Sequence, residues 1–273
     1  MARIFVLAFV LGLGYFTLFQ TPALADVRKY PGSGDYVVLL HGILSMGNAM
    51  VPAAEYLNKK GFYTLVIPYP SRKISIEDTT RQLLSPAIHQ HCTDPSKRIH
   101  FVGHSMGGIV IRHYLANHRP SNLGRVVLIA APNQGNELAD IFRNNSLVGK
   151  VFGPALQELG TDPDSLPNQL GPVNYDLGII MGKAPRIPWL SKAIPEDDDG
   201  VVSVTGGKIR GMNDFEVIKG MHTSLKRSRA VFYQTYYFLK VGSFNDHPPK
   251  REIRKPIRFQ NLRFPAAMKQ RGR

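Results

Sequence analysis

Cysteine is almost absent. Cys92 stands alone among 273 residues, so no intrachain disulfide can form and the fold must rest on its hydrophobic core. Tryptophan is equally scarce, with Trp189 alone. His and Cys side chains bunch at His89-Gln90-His91-Cys92. A structural zinc site usually takes four ligands, and no second Cys/His cluster faces this one, so no metal is expected. No internal repeat is visible, which excludes solenoid and propeller architectures. Acidic residues are few: 20 Asp and Glu against 34 Lys and Arg, a formal net charge of +14. The excess is local. Nine basic residues between Lys250 and Arg273 are opposed by Glu252 alone. That segment follows His247-Pro248-Pro249, and Phe259 and Phe264 lie among its arginines. Residues 243–273 therefore read as a basic tail, either a solvated extension or a contact for an anionic membrane or surface.

The only long apolar run is Ile4 to Phe19, somewhat short for a membrane span of ~20 residues. Met1-Ala2-Arg3 precedes it and Thr21-Pro22-Ala23-Leu24-Ala25 follows. A basic start, an apolar run and Ala-x-Ala predict a secretory signal over residues 1–25, cleaved after Ala25. The chain is then exported, to the periplasm or beyond, with an uncleaved N-terminal anchor as the alternative. Export makes nucleic acid the least favoured partner of the basic tail.

From Tyr36 onward, strand and helix patterns alternate. Tyr36-Val37-Val38-Leu39-Leu40 is a continuous apolar run suited to a strand buried on both faces, and Phe62 to Ile67, Arg98 to Val102 and Arg125 to Ala130 read as further strands. Helices are expected over residues 48–59, from the cap Ser75-Ile76-Glu77-Asp78 to about His89, after Ser105 up to Pro120, and over 228–240. This alternation predicts one domain over residues 26–242, built on a mostly parallel central sheet with helices on both faces. Residues 136–195 break the rhythm, with one strand at 175–180. Phe142, Leu147, Val151, Phe152, Leu156, Leu159 and Trp189 there could pack on the sheet or line a pocket as a lid.

The turn Gly103-His104-Ser105-Met106-Gly107 sits between a strand and a helix. A serine in that G-x-S-x-G context is thrust out of the sheet on a strained turn, which marks Ser105 as a candidate nucleophile. Its next neighbour, Met106, would offer a backbone N–H to an oxyanion. With His41-Gly42-Ile43-Leu44 after the first core strand, the chain resembles the α/β-hydrolase superfamily, and within it small bacterial lipases and esterases. The resemblance runs from about Tyr36 to Leu239. It implies the α/β-hydrolase fold, a small-molecule or lipid ester as substrate, no cofactor, and the N–H of Ile43 as the other oxyanion donor. His41 itself reads as a structural histidine that holds the loop.

Glu196-Asp197-Asp198-Asp199-Gly200 precedes Val201-Val202-Ser203-Val204. The resemblance extends to an Asp-Gly pair before a Val-rich segment, which selects Asp199 as the acid, with Asp198 as runner-up. The acidic cluster fits no EF-hand loop, and calcium is not expected. In this fold the order is serine, acid, histidine. Of nine histidines only His222 and His247 follow Asp199. His247 lies in the tail, which leaves His222 as the candidate general base. The expected activity is ester hydrolysis through an acyl-serine. Other acyl transfers, by an amidase, thioesterase or acyltransferase, would use the same groups, and a non-catalytic module binding anionic surfaces is the remaining alternative. The sequence sets no oligomeric state.

Overall fold

The computed structural model describes residues 27–45, 47–143, 152–184, 194 and 196–250. The expected signal peptide, Leu147, Val151, Trp189 and the tail from Arg251 lie outside them. The strands are β1 (Arg28–Tyr30), β2 (Tyr36–Leu40), β3 (Tyr63–Ile67), β4 (Ile99–His104), β5 (Leu123–Ile129), β6 (Leu177–Lys183) and β7 (Asp214–Lys219). They form one sheet in the order β1-β3-β2-β4-β5-β6-β7. Only β1, paired with β3, is antiparallel. Every other neighbouring pair is parallel. β2 and β4 are buried along their whole length, as strands covered on both faces of a parallel sheet are, and β2 is a continuous apolar run.

Alternate residues of each strand feed two cores. Val38, Leu40, Phe101, Leu128 and Ile179 face one side, and Val37, Leu39, Val102, Val127 and Ile180 face the other. On the first side pack a helical run α2 (Ile76–Asp78, a π turn Thr79–Leu84, then Ser85–His91) and helix α3 (Met106–Asn117). On the second pack α1 (Val51–Asn58) and α8 (Arg229–Val241). Between them run the short helices α4 (Glu137–Arg143), α5 (Pro154–Gln157), α6 (Leu166–Gln169) and α7 (His222–Leu225). Both faces of the sheet are thus covered, and this is the α/β-hydrolase fold. The loops at the carboxyl ends of β2, β4, β6 and β7 lie at the same edge, where open α/β sheets build their sites.

Several elements differ from the sequence expectation. The helix from Ser75 is capped as expected, with the Asp78 N–H donating to Ser75 Oγ at 2.9 Å. It is not regular, however. The Thr79 and Thr80 hydroxyls donate back to the Ser75 and Ile76 carbonyls, and Pro86 has no N–H to give, so the ladder widens to a π turn. The Val-rich segment after Gly200 forms a tight turn closed by an isolated bridge between Asp198 and Ser203. Two edge strands, β1 and β7, appear that apolar runs did not mark. The described part of 136–195 packs against the sheet: Leu156 and Leu159 are buried, with Phe142 and Phe152 stacked beside them. The domain also extends past Gly242. Phe244 is buried against Phe238 at 5.1 Å, and Asn245 pairs with Gln234 through two hydrogen bonds. Phe244, assigned to the tail from sequence, belongs to the core, and Asn245 is fastened to the last helix beside it. Among the described residues, no helix is long and apolar enough to cross a membrane.

Candidate active site

Ser105 follows β4 with φ 55° and ψ −128°, a conformation that costs a non-glycine residue ~1–3 kcal/mol. The crossing of β4, β2 and α3 enforces it. A methyl group at Gly103 would meet the backbone of Gly108 at 2.7 Å, and one at Gly107 would meet the His41 carbonyl at 2.5 Å. The Ser105 N–H donates to the Ile129 carbonyl at 2.8 Å, which ties the turn to β5. Met106 opens α3, so its N–H belongs to the first turn, where the donors have no partner within the helix.

The loop after β2 passes beside the serine. A side chain at Gly42 would come within 2.7 Å of Ser105 Cβ, and Ile43 is the next residue along the loop from that close approach. His41 is wholly buried and stacks on Tyr69 at 4.2 Å. Its Nδ1 lies 2.8 Å from the Gly42 carbonyl, and its Nε2 lies 3.3 Å from the Tyr69 N–H. The carbonyl can only accept and the amide can only donate, so the proton sits on Nδ1. Burial, with the nearby Lys226 charge, holds His41 down at about 4, and the ring is neutral. The Tyr69 hydroxyl donates to the His41 carbonyl. Burial pushes that phenol far above its usual range, so it remains a donor. Leu44, which follows Ile43, has φ 57°. Ser45 Oγ receives a hydrogen bond from Lys226 Nζ at 3.0 Å.

The acid loop lies beyond β6. Asp199 is fully buried. Its Oδ1 accepts from the Val201 and Val202 N–H groups at 3.0 and 2.9 Å, and its Oδ2 lies 2.8 Å from His222 Nδ1. The His222 N–H also donates to the Asp199 carbonyl at 2.8 Å. With Nδ1–H given to the carboxylate, Nε2 is left as the basic nitrogen. Asp198 is engaged elsewhere, since its Oδ1 accepts from the Gly200 N–H at 2.6 Å within its own turn. Of the two acids weighed from sequence, only Asp199 reaches the histidine. No hydrogen bond joins the Ser105 hydroxyl to the His222 ring among the described residues; such contacts are commonly loose before substrate binds.

Sequence reasoning missed His104. Its Nε2 donates to the His222 carbonyl at 3.0 Å, and the two rings lie 4.9 Å apart. Burial, the His222 ring and Lys226 hold it well below the usual imidazole range. It joins the Ser105 turn to the His222 loop, 118 positions later in the chain. Tyr69 and Lys226 were missed as well. His247 is exposed, with its N–H on Asn245, and takes no part in this arrangement. Cys92 is half-buried and burial pushes its thiol up to about 12, which leaves it protonated and unreactive. A cleft of about 340 Å³ between Glu77, His113, Glu158 and Asp162 borders none of Ser105, Asp199 or His222.

Residues 78–151, which include the serine turn, match the family model for the α/β hydrolase fold. Solved structures with the same fold cover most of the chain. The mature lipase BlEst2 of Bacillus licheniformis superposes with a TM-score of 0.60 at 16% identity, over 79% of this chain and 97% of that one. A metagenomic carboxyl esterase gives 0.55 at 17% identity, over 71% of this chain and 66% of that one. The phospholipase PlaB of Legionella pneumophila gives 0.52 at 17% identity, over 70% and 53%. A Nostoc sp. protein named probable phosphoketolase 1 is 28% identical over 139 residues, 47% of this chain. The chain spans only 15% of the length of that curated relative.

Proposed function

We propose that this protein is a serine hydrolase that cleaves carboxylic esters through an acyl-serine intermediate. The observation that carries the reading is the 2.8 Å contact of His222 Nδ1 with the buried Asp199 carboxylate, at the sheet edge where Ser105 occupies its strained turn. Ser105 Oγ attacks the acyl carbon while His222 Nε2 takes its proton. The oxyanion forms against the N–H groups of Ile43 and Met106, and it needs no metal or organic cofactor. Asp199 keeps the imidazole in the Nδ1–H tautomer and stabilises its charged form without taking the proton. The alcohol leaves with the proton that His222 returns. Water then attacks the acyl-serine by the same route and releases the acid.

The neighbours named lipase, phospholipase and carboxyl esterase favour an ester over an amide, and a lipid ester among esters. The signal expected over residues 1–25 supports a reaction outside the cytoplasm, and the basic tail after Lys250 supplies contact with an anionic membrane or surface. Removal of that tail leaves turnover of a soluble ester unchanged, while binding to anionic vesicles falls in a salt-sensitive way.

The test is Ser105→Ala. Hydrolysis falls on the order of 10⁴ to 10⁶-fold with the fold intact, and a fluorophosphonate probe labels the wild-type chain but not the variant. Near-full turnover by purified Ser105→Ala protein would overturn the assignment. A panel of esters of rising acyl length then separates esterase from lipase.

A further inference from the structure

His222 is held by its peptide group as well as by its ring. Its N–H donates to the Asp199 carbonyl at 2.8 Å, and its own carbonyl lies 3.0 Å from His104 Nε2. The ring is fixed through Nδ1, 2.8 Å from Asp199 Oδ2. The Ser105 hydroxyl makes no hydrogen bond to that ring among the described residues, so the placement of Nε2 falls to the groups behind it. The helix that His222 opens is four residues long, and its N-cap residue, Met221, makes no side-chain cap bond. So short a helix has little stiffness of its own.

His104 is the last residue of β4 and is 2% exposed. The His222 carbonyl can only accept, so the His104 proton sits on Nε2 and Nδ1 is a bare acceptor. That nitrogen is buried without a hydrogen-bond partner among the described residues. It lies against the loop after β2, since a methyl group at Gly42 would come within 3.2 Å of it. The ring thus stands between two loops, Gly42 at its Nδ1 edge and His222 at its Nε2 edge. A buried acceptor without a partner costs stability, and an apolar side chain would fill the same space free of that cost. What the imidazole adds is its Nε2–H. Burial, the His222 ring and Lys226 keep it neutral, so it remains a donor and does not compete for the proton that His222 takes.

We propose that His104 is a positioning residue for the base: its Nε2–H holds the His222 carbonyl, and its ring spaces the base loop from the oxyanion loop at Gly42. Being buried, it has no surface to offer a substrate. Its effect on turnover rests on the serine-hydrolase reading; its effect on the placement of His222 does not. With the carbonyl released, the four-residue helix shifts and Nε2 moves off its approach to Ser105. Misplacement by about 1 Å can cost on the order of 10²-fold in rate.

The test compares two substitutions of similar length. His104→Gln keeps an N–H at the place of Nε2, whereas His104→Met fills the space without a donor. On a soluble ester, His104→Met lowers kcat about 10 to 10²-fold with KM within about twofold of wild type. His104→Gln restores kcat to within about fivefold of wild type. In an Asp199→Asn background, where the ring is already misheld, His104→Met adds a smaller loss. The downfield proton resonance of His222 Nδ1–H reads the placement without any turnover. It persists in wild type and in His104→Gln, and it is broadened or lost in His104→Met. In the wild-type chain, nitrogen NMR shifts show the His104 proton on Nε2, a measurement that needs no variant to fold. Equal kcat in the two variants, a rise in KM in place of a fall in kcat, an Nδ1–H resonance unmoved in His104→Met, or a His104 proton on Nδ1 overturns the proposal. If Ser105→Ala keeps full turnover while the resonance responds in this way, the serine-hydrolase reading fails and the placement of His222 by His104 stands.

Discussion

Two loops at the same sheet edge are braced in opposite ways. In the proposed reaction the loop after β2 presents backbone N–H groups, and side chains hold it. His41 is clamped by Tyr69 through stacking and two hydrogen bonds, and Ser45 is held by Lys226. In the proposed reaction the loop after β6 presents a carboxylate, and backbone groups hold that carboxylate. The Val201 and Val202 N–H groups fix one Asp199 oxygen, which leaves the other for His222. Around the groups that the proposed chemistry uses, the bracing comes from groups of the other kind: side chains hold the loop of backbone donors, and backbone N–H groups hold the acid. A donor loop braced by its own amides would lose oxyanion donors, and an acid held by side-chain cations would lose its hold on the histidine.

The strongest test of the contrast lies in the acid loop. Asp199→Asn keeps the shape of the loop but can present an amide N–H to His222 and favour the wrong tautomer. Turnover falls ~10⁴-fold. Asp198→Asn disturbs only the contact with the Gly200 N–H and stays within about tenfold of wild type. Steady-state kinetics on one soluble ester decide the ranking. Equal losses would mean that the turn as a whole, and not the Asp199 carboxylate, supports the chemistry.

The donor loop carries a titratable brace, and acid should find it. His41 is held at about 4 by burial, whereas an unfolded imidazole titrates near 6.5. Between those values the unfolded chain binds a proton that the folded ring refuses. Stability contributed by neutral His41 is therefore complete above about pH 6.5 and is lost as pH falls toward 4, by up to ~3 kcal/mol. His100, at the other end of the site strand, is also held at about 4 by burial and adds a loss of the same sign. Denaturant unfolding at pH 7, 5.5 and 4.5 measures the slope, and a flat line across that range would remove His41 as the acid-sensitive brace.

The two loops also differ in how far the sequence disclosed them. Tyr36–Leu40 is buried on both faces and its unbroken apolar run reports it, whereas Ile99–His104 is as deeply buried although His100 and His104 interrupt its apolar residues. The serine turn is written in five adjacent residues because a strained turn between β4 and α3 leaves room only for glycine. Asp199 and His222 follow from chain order and an Asp-Gly pair. Tyr69 and Lys226 leave no such mark. Each acts across the fold, Tyr69 at 28 positions from His41 and Lys226 at 181 from Ser45, and no local spacing encodes a contact of that kind. β7 escaped because it is an edge strand with partly exposed residues, so its apolar run is diluted by Asp214, Glu216 and Lys219. The π turn escaped because threonine back-bonding and Pro86 act on a helix that the periodicity draws as regular.

Tyr69→Phe sharpens the comparison at lower cost. The ring still stacks on His41, and only the hydroxyl that holds the His41 carbonyl is lost. That carbonyl also lies against Gly107 in the first turn of α3, so both oxyanion donors are displaced together. Turnover falls about 10 to 10²-fold with KM little changed, since misplacement of a donor weakens transition-state binding more than ground-state binding. A rise in KM with unchanged kcat would mean that Tyr69 shapes the substrate pocket and not the donors.

The smallest effect is expected at the strap between the two loops. Lys226 ends the short helix that begins at His222, and its ammonium group reaches back to Ser45 in the donor loop. The strap therefore couples the proposed base to the proposed oxyanion donors, and it lies next to Leu44, whose left-handed conformation costs a leucine ~1–2 kcal/mol. Lys226 is only half-buried, so its hydrogen bond is worth ~1 kcal/mol or less after solvent competition. Ser45→Ala removes the bond and keeps the charge; Lys226→Met removes both and keeps most of the stem. If geometry is what the strap supplies, each variant lowers kcat by about threefold to fivefold, and the double variant loses no more than the worse single one. A larger loss in Lys226→Met than in Ser45→Ala would assign the effect to the positive charge beside His41 and His104, and losses that simply multiply would show that the two residues do not act through one bond.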